Sequence, residues 1–296
     1  MHKPLRRRWL LGLAPLVAAV GACAPIKLLD SVVPSDTYTL ESGIAYGSEA
    51  RQLLDVYRPL ARAVPAIGAR PLVVFFYGGA WSDGDRGDFR FVAEALAARG
   101  AVVVLPDYRL SPAVRYPVFV EDSARATQWA LEHAAQLGAD PKRVYVMGHS
   151  SGAYNAAMVA LDARWLRQVG ASPSQLAGWI GLAGPYDFLP IHDRQAQVAF
   201  DWPDTSLDSQ PIAHVSAASP PALLLAGSDD DTVNPQRNSV QMAERLRAAG
   251  VPVQMQLFDD LGHIGLIAEV AAPLRWLGGP VLPPVLRFMG LGASVE

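Results

Sequence analysis

The five residues Gly148-His149-Ser150-Ser151-Gly152 constrain this chain more than any other stretch, because of what flanks them. Before them, Arg143 to Met147 is β-branched and apolar, as a strand buried on both faces should be. After them, Ala153 to Leu161 has helical composition. A serine between such a strand and helix, with a glycine two residues away on either side, has the form of a nucleophile elbow. The turn forces Ser150 into a strained backbone conformation. Side chains at positions 148 and 152 would strike the neighbouring strand and helix, so glycine is needed at both. With these flanks the stretch reads as a strand–turn–helix unit.

The 296 residues are 51% hydrophobic, enough to bury a large core. The N-terminus is of another kind. Lys3, Arg6, Arg7 and Arg8 precede an apolar run from Trp9 to Ala22, short for a bilayer span but suited to a signal-peptide core. Val20-Gly21-Ala22-Cys23 holds the chain's single cysteine and resembles a bacterial lipobox, in which the cysteine is lipidated and becomes the mature N-terminus. Residues 1–22 are therefore expected to be a signal peptide, Cys23 a lipidation site and residues 23–36 a linker. The expected location is the bacterial periplasm or outer membrane. Ala22-Cys23-Ala24 also satisfies the small-x-small rule for ordinary cleavage, which would release a soluble protein. Arg6-Arg7-Arg8-Trp9-Leu10 is similar in outline to a twin-arginine signal.

Removing the signal takes away four of the 25 Lys and Arg and none of the 28 Asp and Glu, which leaves a body of net charge −7. An acidic body without a basic stripe argues against nucleic acid as a partner. Membrane association would rest on the lipid at Cys23. With one cysteine in all, the mature body can form no internal disulfide.

Residues 37–296 read as a single α/β domain. Three short segments open it, Thr37 to Glu41, Ile44 to Tyr46 and Leu53 to Tyr57, separated by turn signals and expected to form an antiparallel edge. After a loop from Ala61 to Arg70 the chain alternates. Strands are expected at Leu72 to Phe76, Val102 to Leu105, 143–147, Trp179 to Leu182, Ala222 to Ala226 and Val253 to Phe258. Helices are expected at Phe89 to Arg99, Val118 to Leu137, after Ser150, at Val240 to Ala249, at Ile264 to Leu277 and at Pro284 to Leu291. Continuous apolar strands alternating with amphipathic helices predict a mostly parallel twisted sheet covered on both faces. Residues 185–221 break the alternation and are rich in Asp, Gln, Pro and aromatics. Such an excursion between two sheet strands is expected to form a small cap or lid over the site.

A serine hydroxyl needs a base to take its proton. Where a serine stands on such an elbow, acid and base follow it in the order Ser, Asp or Glu, His. His263, directly after the last expected strand, is the only histidine beyond the acidic cluster at 229–231, so that order selects it. The cluster Asp229-Asp230-Asp231 follows a strand end and offers three carboxylates to hold the imidazole. His149 sits beside Ser150 but is discounted, because an adjacent residue on an elbow points away from its neighbour's hydroxyl.

With these residues in place, the stretch from about Tyr46 to Leu277 resembles the α/β-hydrolases of the esterase/lipase group, near the hormone-sensitive-lipase-like, feruloyl-esterase-like and kynurenine-formamidase-like branches. The resemblance implies the α/β-hydrolase fold and a Ser150-Asp230-His263 triad. The group's Gly-x-x-Asp-x-x-Val pattern matches Gly227, Asp230 and Val233, with Asp229 as the alternative one register away. It further implies an oxyanion loop of the form His-Gly-Gly-x-Trp. Here that loop reads Tyr77-Gly78-Gly79-Ala80-Trp81, with tyrosine in place of histidine. The N–H groups of Gly79, Ala80 and Ser151 are the expected donors to the oxyanion. Asp107 to Pro112 resembles the group's Tyr-Arg-Leu-x-Pro segment, in which Arg109 is expected to pair with Glu121 or Asp122 beneath the oxyanion loop. By position, Trp81, Tyr186 and Trp202 are expected to line an acyl or aryl pocket.

No residue cluster has metal-ligand spacing, and no glycine loop opens a helix in the way that cradles phosphate, so neither metal nor cofactor is expected. The expectation is therefore cofactor-free cleavage of carboxylic esters, short-chain or aryl, through an acyl-enzyme. An arylformamidase is the nearest enzymatic alternative. A non-catalytic envelope lipoprotein retaining the fold is the alternative of another class.

Overall fold

The computed structural model describes Leu29, residues 33–60 and residues 70–292. The expected signal peptide and lipidation site at Cys23 lie outside the described residues.

Apolar strands set the layering. β1 (Tyr38–Ala45) and β2 (Leu53–Pro59) form an antiparallel pair, and β2 then pairs antiparallel with β4 (Val102–Pro106). From β4 inward the sheet is parallel through β3 (Arg70–Phe76), β5 (Ala139–His149), β6 (Gly178–Leu182), β7 (Ala222–Gly227) and β8 (Val253–Phe258). Among the described residues these eight strands form one sheet, in the order β1-β2-β4-β3-β5-β6-β7-β8. β4, β6 and β7 are buried along their whole length, as continuous apolar runs require in a sheet covered on both faces.

Helices α1 (Arg90–Ala97), α2 (Val118–His133), α3 (Ser151–Leu161), α4 (Ala163–Gln168) and α6 (Gln241–Ala248) cover the sheet, and α5 (Arg194–Ala199) lies in the 185–221 excursion. Every residue of α3 is buried. Gly152, Ala153, Ala156, Ala157 and Ala160 keep it narrow enough to lie between the sheet and α2. The chain ends in α7 (His263–Ala268), α8 (Ala272–Trp276) and α9 (Leu282–Phe288). No helix of the described residues is long and apolar enough to cross a membrane.

Two departures from the sequence reading have a clear local cause. The segments at 37–41 and 44–46 are one strand, β1, whose register shifts between Glu41 and Ile44. Gly43 takes φ +74° there, and Asp55 on β2 accepts from Ser42 Oγ and the Gly43 N–H, so the bulge costs no buried donor. The helix expected from Ile264 to Leu277 is two helices. Pro273 has no N–H to continue a helical ladder and stands in the first turn of α8 instead.

Candidate active site

Ser150 lies where β5 meets α3, at the C-terminal end of a central strand, the place where ligands bind in open α/β sheets. Its φ and ψ are +55° and −126°. A positive φ is uncommon for a residue with a Cβ, and such strain clusters at functional sites. The Ser150 N–H donates to the carbonyl of Leu182 at the end of β6, which pins the turn. Both flanking glycines are sterically required. A Cβ at Gly148 would stand 2.2 Å from the carbonyl carbon of Gly152, and one at Gly152 would stand 2.0 Å from the carbonyl oxygen of Phe76.

His263 opens α7 after β8, and its Nε2 is 2.8 Å from Ser150 Oγ. Its Nδ1 is 2.7 Å from Asp230 Oδ2. Asp230 follows β7, and its other oxygen accepts from the N–H groups of Thr232 (2.9 Å) and Val233 (2.8 Å). Burial raises the pKa of this carboxyl, yet the hydrogen bond and charge of His263, with those two backbone donors, hold it below the ordinary value. Asp230 thus stays ionised and acts as acceptor to His263 Nδ1–H, leaving Nε2 free to take a proton. Asp229 points elsewhere, accepting from Ser228 Oγ.

Gly227 explains itself in the same way as the elbow glycines. A Cβ there would come 1.9 Å from the carbonyl of Leu261, in the loop that carries His263. The Asp229 N–H donates to that same carbonyl, so the loop that carries Asp230 and the loop that carries His263 are stitched together. Val233 is the third residue of the pattern. Its N–H holds Asp230 and its side chain lines the cavity beside Ser150.

The Gly78-Gly79 loop leaves β3 and runs along the elbow. Gly79 takes φ +140°, and its carbonyl accepts from the N–H groups of Ser82 and Asp83 in a tight turn. Ala80 and Trp81 take φ +49° and +57°. Ala80 and Ser151 line the same cavity as Ser150. Ser151 is the first residue of α3, so its N–H has no acceptor within the helix.

Tyr77, which replaces the expected histidine, is fully buried and braces this loop. Its ring stacks between Phe89 (5.5 Å) and Tyr108 (4.8 Å). Its hydroxyl donates to Asp107 Oδ1 and accepts from Arg51 Nη2, which also donates to the carbonyl of Gly84. Arg51 was not anticipated from sequence: it lies in the turn between β1 and β2, far along the chain from the loop it braces. Arg109 pairs with Asp122 through a two-pronged bond of 2.7 and 2.8 Å. Of the two partners considered for it, the fold supplies Asp122.

A cavity of about 250 Å³ opens over Ser150, walled on one side by Trp81, Phe188, Ile191 and Val233, with Asp187, His192 and Arg237 as its polar lining. Trp81 is 3% exposed. It is held by a hydrogen bond to Asn155 and by rings of Phe119, Tyr154, Phe188 and Phe200 within 5.9 Å. The other two aromatics expected in the pocket are elsewhere. Tyr186 is fully buried, packed edge-on against Trp179 and over Gly181. Its neighbours Pro185 and Asp187 face the cavity while it turns toward β6. Trp202 lines a separate surface groove with Arg115 and Arg194. Phe188 is the excursion's aromatic at the cavity.

His149 does not reach Ser150 as a base. Its Nε2 meets the backbone carbonyl of His263 at 3.1 Å. Among the described residues no group of three or more His, Cys, Asp or Glu is placed to hold a metal ion.

Several known proteins share this arrangement of chain. Esterase B from Lactobacillus rhamnosus superposes with a TM-score of 0.74 at 21% identity, covering 90% of each chain. A bacterial heroin esterase superposes with a TM-score of 0.70 at 22% identity, covering 90% of this chain and 89% of its own. In sequence, the probable isoprenylcysteine alpha-carbonyl methylesterase ICMEL1 of Arabidopsis thaliana is 28% identical over 76% of this chain and 51% of its own length. This chain thus spans about half of that plant protein. Esterase LipI of Mycobacterium tuberculosis is 35% identical over 68% of each protein. The sequence model of the BD-FAE family matches residues 54–246, which takes in Ser150 and Asp230 and ends before His263. With that match across the sheet and the elbow, the chain belongs to the BD-FAE family of α/β-hydrolases.

Proposed function

We propose that this protein is a serine hydrolase that cleaves carboxylic esters, short-chain or aryl, through an acyl-enzyme. The observation that carries this reading is the position of His263, with one ring nitrogen 2.8 Å from Ser150 Oγ and the other 2.7 Å from Asp230. Ser150 Oγ attacks the ester carbonyl carbon while its proton passes to His263 Nε2. The carbonyl electron pair moves to oxygen, where the N–H groups of Gly79, Ala80 and Ser151 are the proposed donors. The intermediate collapses as His263 returns the proton to the departing alcohol. Water then repeats the sequence on the acyl-enzyme and frees Ser150. Asp230 orients the imidazole and stabilises its transient positive charge throughout.

The esterase names of the relatives support ester cleavage over formamide cleavage. A cavity of about 250 Å³ closed by Trp81 favours small acyl or aryl groups. Labelling with a fluorophosphonate, followed by turnover of p-nitrophenyl esters of two to twelve carbons (about that range) and of N-formylkynurenine, tests the proposal. Stoichiometric labelling lost in Ser150→Ala is expected, with highest kcat/KM on the shortest esters. A folded protein that neither labels nor turns over any ester would overturn it. Export and anchoring at Cys23 belong to the same proposal and rest on the signal anatomy of residues 1–23. Mass spectrometry of the mature N-terminus decides them, and an unmodified peptide beginning at Ala24 or later excludes the anchor.

A further inference from the structure

His149 is the residue of the elbow that the hydrolytic mechanism leaves unused, and its surroundings give it a role. It is 2% exposed, and a buried imidazole has two ring nitrogens to account for. Nε2 is 3.1 Å from the carbonyl oxygen of His263. A carbonyl only accepts, so this nitrogen carries the proton. Among the described residues Nδ1 has no hydrogen-bond partner. It faces the backbone of Gly78, where an added Cβ would come within 3.1 Å of it. The two imidazole rings lie 4.9 Å apart, tilted at 42°.

The loop that carries His263 is tied to the β7 side by two bonds, Asp229 N–H to the Leu261 carbonyl and Asp260 N–H to Ser228 Oγ. Gly262, which precedes the helix, offers no side-chain cap. His149 supplies the tie on the opposite side, as the last residue of β5. We infer that His149 is a positioning residue for His263, its Nε2–H bond fixing where the catalytic imidazole stands between Ser150 and Asp230. The inference rests on the hydrolytic reading of that pair.

A neutral ring already supplies this donor. A second proton would enter at Nδ1, where Gly78 offers no acceptor. Its charge would then sit beside the imidazolium that His263 becomes during turnover. The ionisable groups facing His149 are His263, which disfavours the charge, and Asp230, which favours it. Burial dominates both and pulls its pKa down to about 3.

The test uses His149→Phe, which keeps the ring volume and deletes the donor, and His149→Gln, which keeps an N–H donor. Turnover of an aryl acetate is measured per fluorophosphonate-titrated site, so misfolded protein drops out of the comparison. For His149→Phe, kcat per site is expected to fall about tenfold or more, with KM changed less than about twofold. Gln should restore most of the lost kcat. A Phe variant within about twofold of wild type per site overturns the inference. So does a Gln variant no better than Phe.

A readout without turnover stands beside this one. ¹⁵N NMR of the wild type should show His149 neutral, with its proton on Nε2, from pH 7 to about pH 5. The other tautomer, or protonation within that range, overturns the inference even if the Phe variant fails to fold. Wild-type protein that shows the expected tautomer but neither labels nor turns over would instead count against the hydrolytic reading.

Discussion

The phenol oxygen of Tyr77 lies 2.7 Å from Nη2 of Arg51, and that bond joins the loop after β3 to the turn between β1 and β2. The same phenol donates to Asp107, so one buried hydroxyl fixes three segments that are distant in sequence. Backbone donors of a preorganised site must be in place before charge develops, and this web holds the loop proposed to offer them. Tyr77→Phe keeps the stack on Phe89 and Tyr108 but leaves Arg51 and Asp107 each one partner short. A loss of about 1–3 kcal/mol in stability is expected, with kcat lower by about tenfold and KM little changed. Urea unfolding and steady-state kinetics would check this, and wild-type stability in the Phe variant would refute the bracing role.

The proposed acid, Asp230, can be separated from its neighbours by substitution. Asp230→Asn keeps the shape but cannot stabilise the imidazolium and leaves Nδ1 facing an amide. Turnover per labelled site should fall by about 10³–10⁴. Asp229→Asn touches only the exposed bond from Ser228 and should stay within about twofold of wild type. If the two variants reversed these roles, Asp230 would lose its place in the mechanism.

How much of this was legible in the sequence depends on whether a residue's role is local. Ser150, Gly148 and Gly152 were readable because the elbow is a single turn whose steric demands fall within five residues. Asp230 followed from the pattern with Gly227 and Val233, which the structure explains through the Leu261 carbonyl and the bond to Asp230. Arg51 was not readable, since nothing near it in sequence marks its partner 26 residues away. Tyr186 and Trp202 show the converse. Composition placed aromatics in the excursion, but which ones face the cavity depends on backbone direction there, and only Phe188 does.

Gly152 offers a steric test. Its added Cβ would meet three backbone atoms of Phe76 and Tyr77 at 2.0 to 2.5 Å, none of which can rotate away. Gly152→Ala should therefore cost about 3 kcal/mol or more and displace the Gly78-Gly79 loop from Ser150. Gly138→Ala is the control. Its φ is +79° with nothing within 4 Å, so only the left-handed strain of about 1–2 kcal/mol applies. Equal melting temperatures for the two variants would refute the account of the elbow.

Trp81 closes the cavity against the rings of Phe119, Tyr154 and Phe200. Trp81→Ala should extend the space available to an acyl chain, at a stability cost of about 3–5 kcal/mol. The expected result is a shift of the kcat/KM optimum toward longer p-nitrophenyl esters. An unchanged chain-length profile would move the acyl group to another wall.

Acid should unfold this protein earlier than its carboxylates alone would require, because of His149. Its folded pKa of about 3 lies below the unfolded value of about 6.5. Between those values the unfolded chain binds a proton that the folded one refuses. Stability is therefore full above about pH 6.5 and falls with pH, at a slope approaching 1.4 kcal/mol per unit. Asp230 acts in a different window: its pKa is depressed by folding, so its contribution holds above about pH 4 and is lost only below. From pH 7 to pH 5 the His149 share amounts to about 2 kcal/mol. Urea unfolding of wild type and His149→Phe at the two pH values isolates it, since the other groups are common to both. The variant should lose about 2 kcal/mol less than wild type over that interval. Parallel pH dependence in the two proteins would mean that His149 takes up its proton as readily in the fold as in the unfolded chain, and the account of a ring kept neutral by burial would fail.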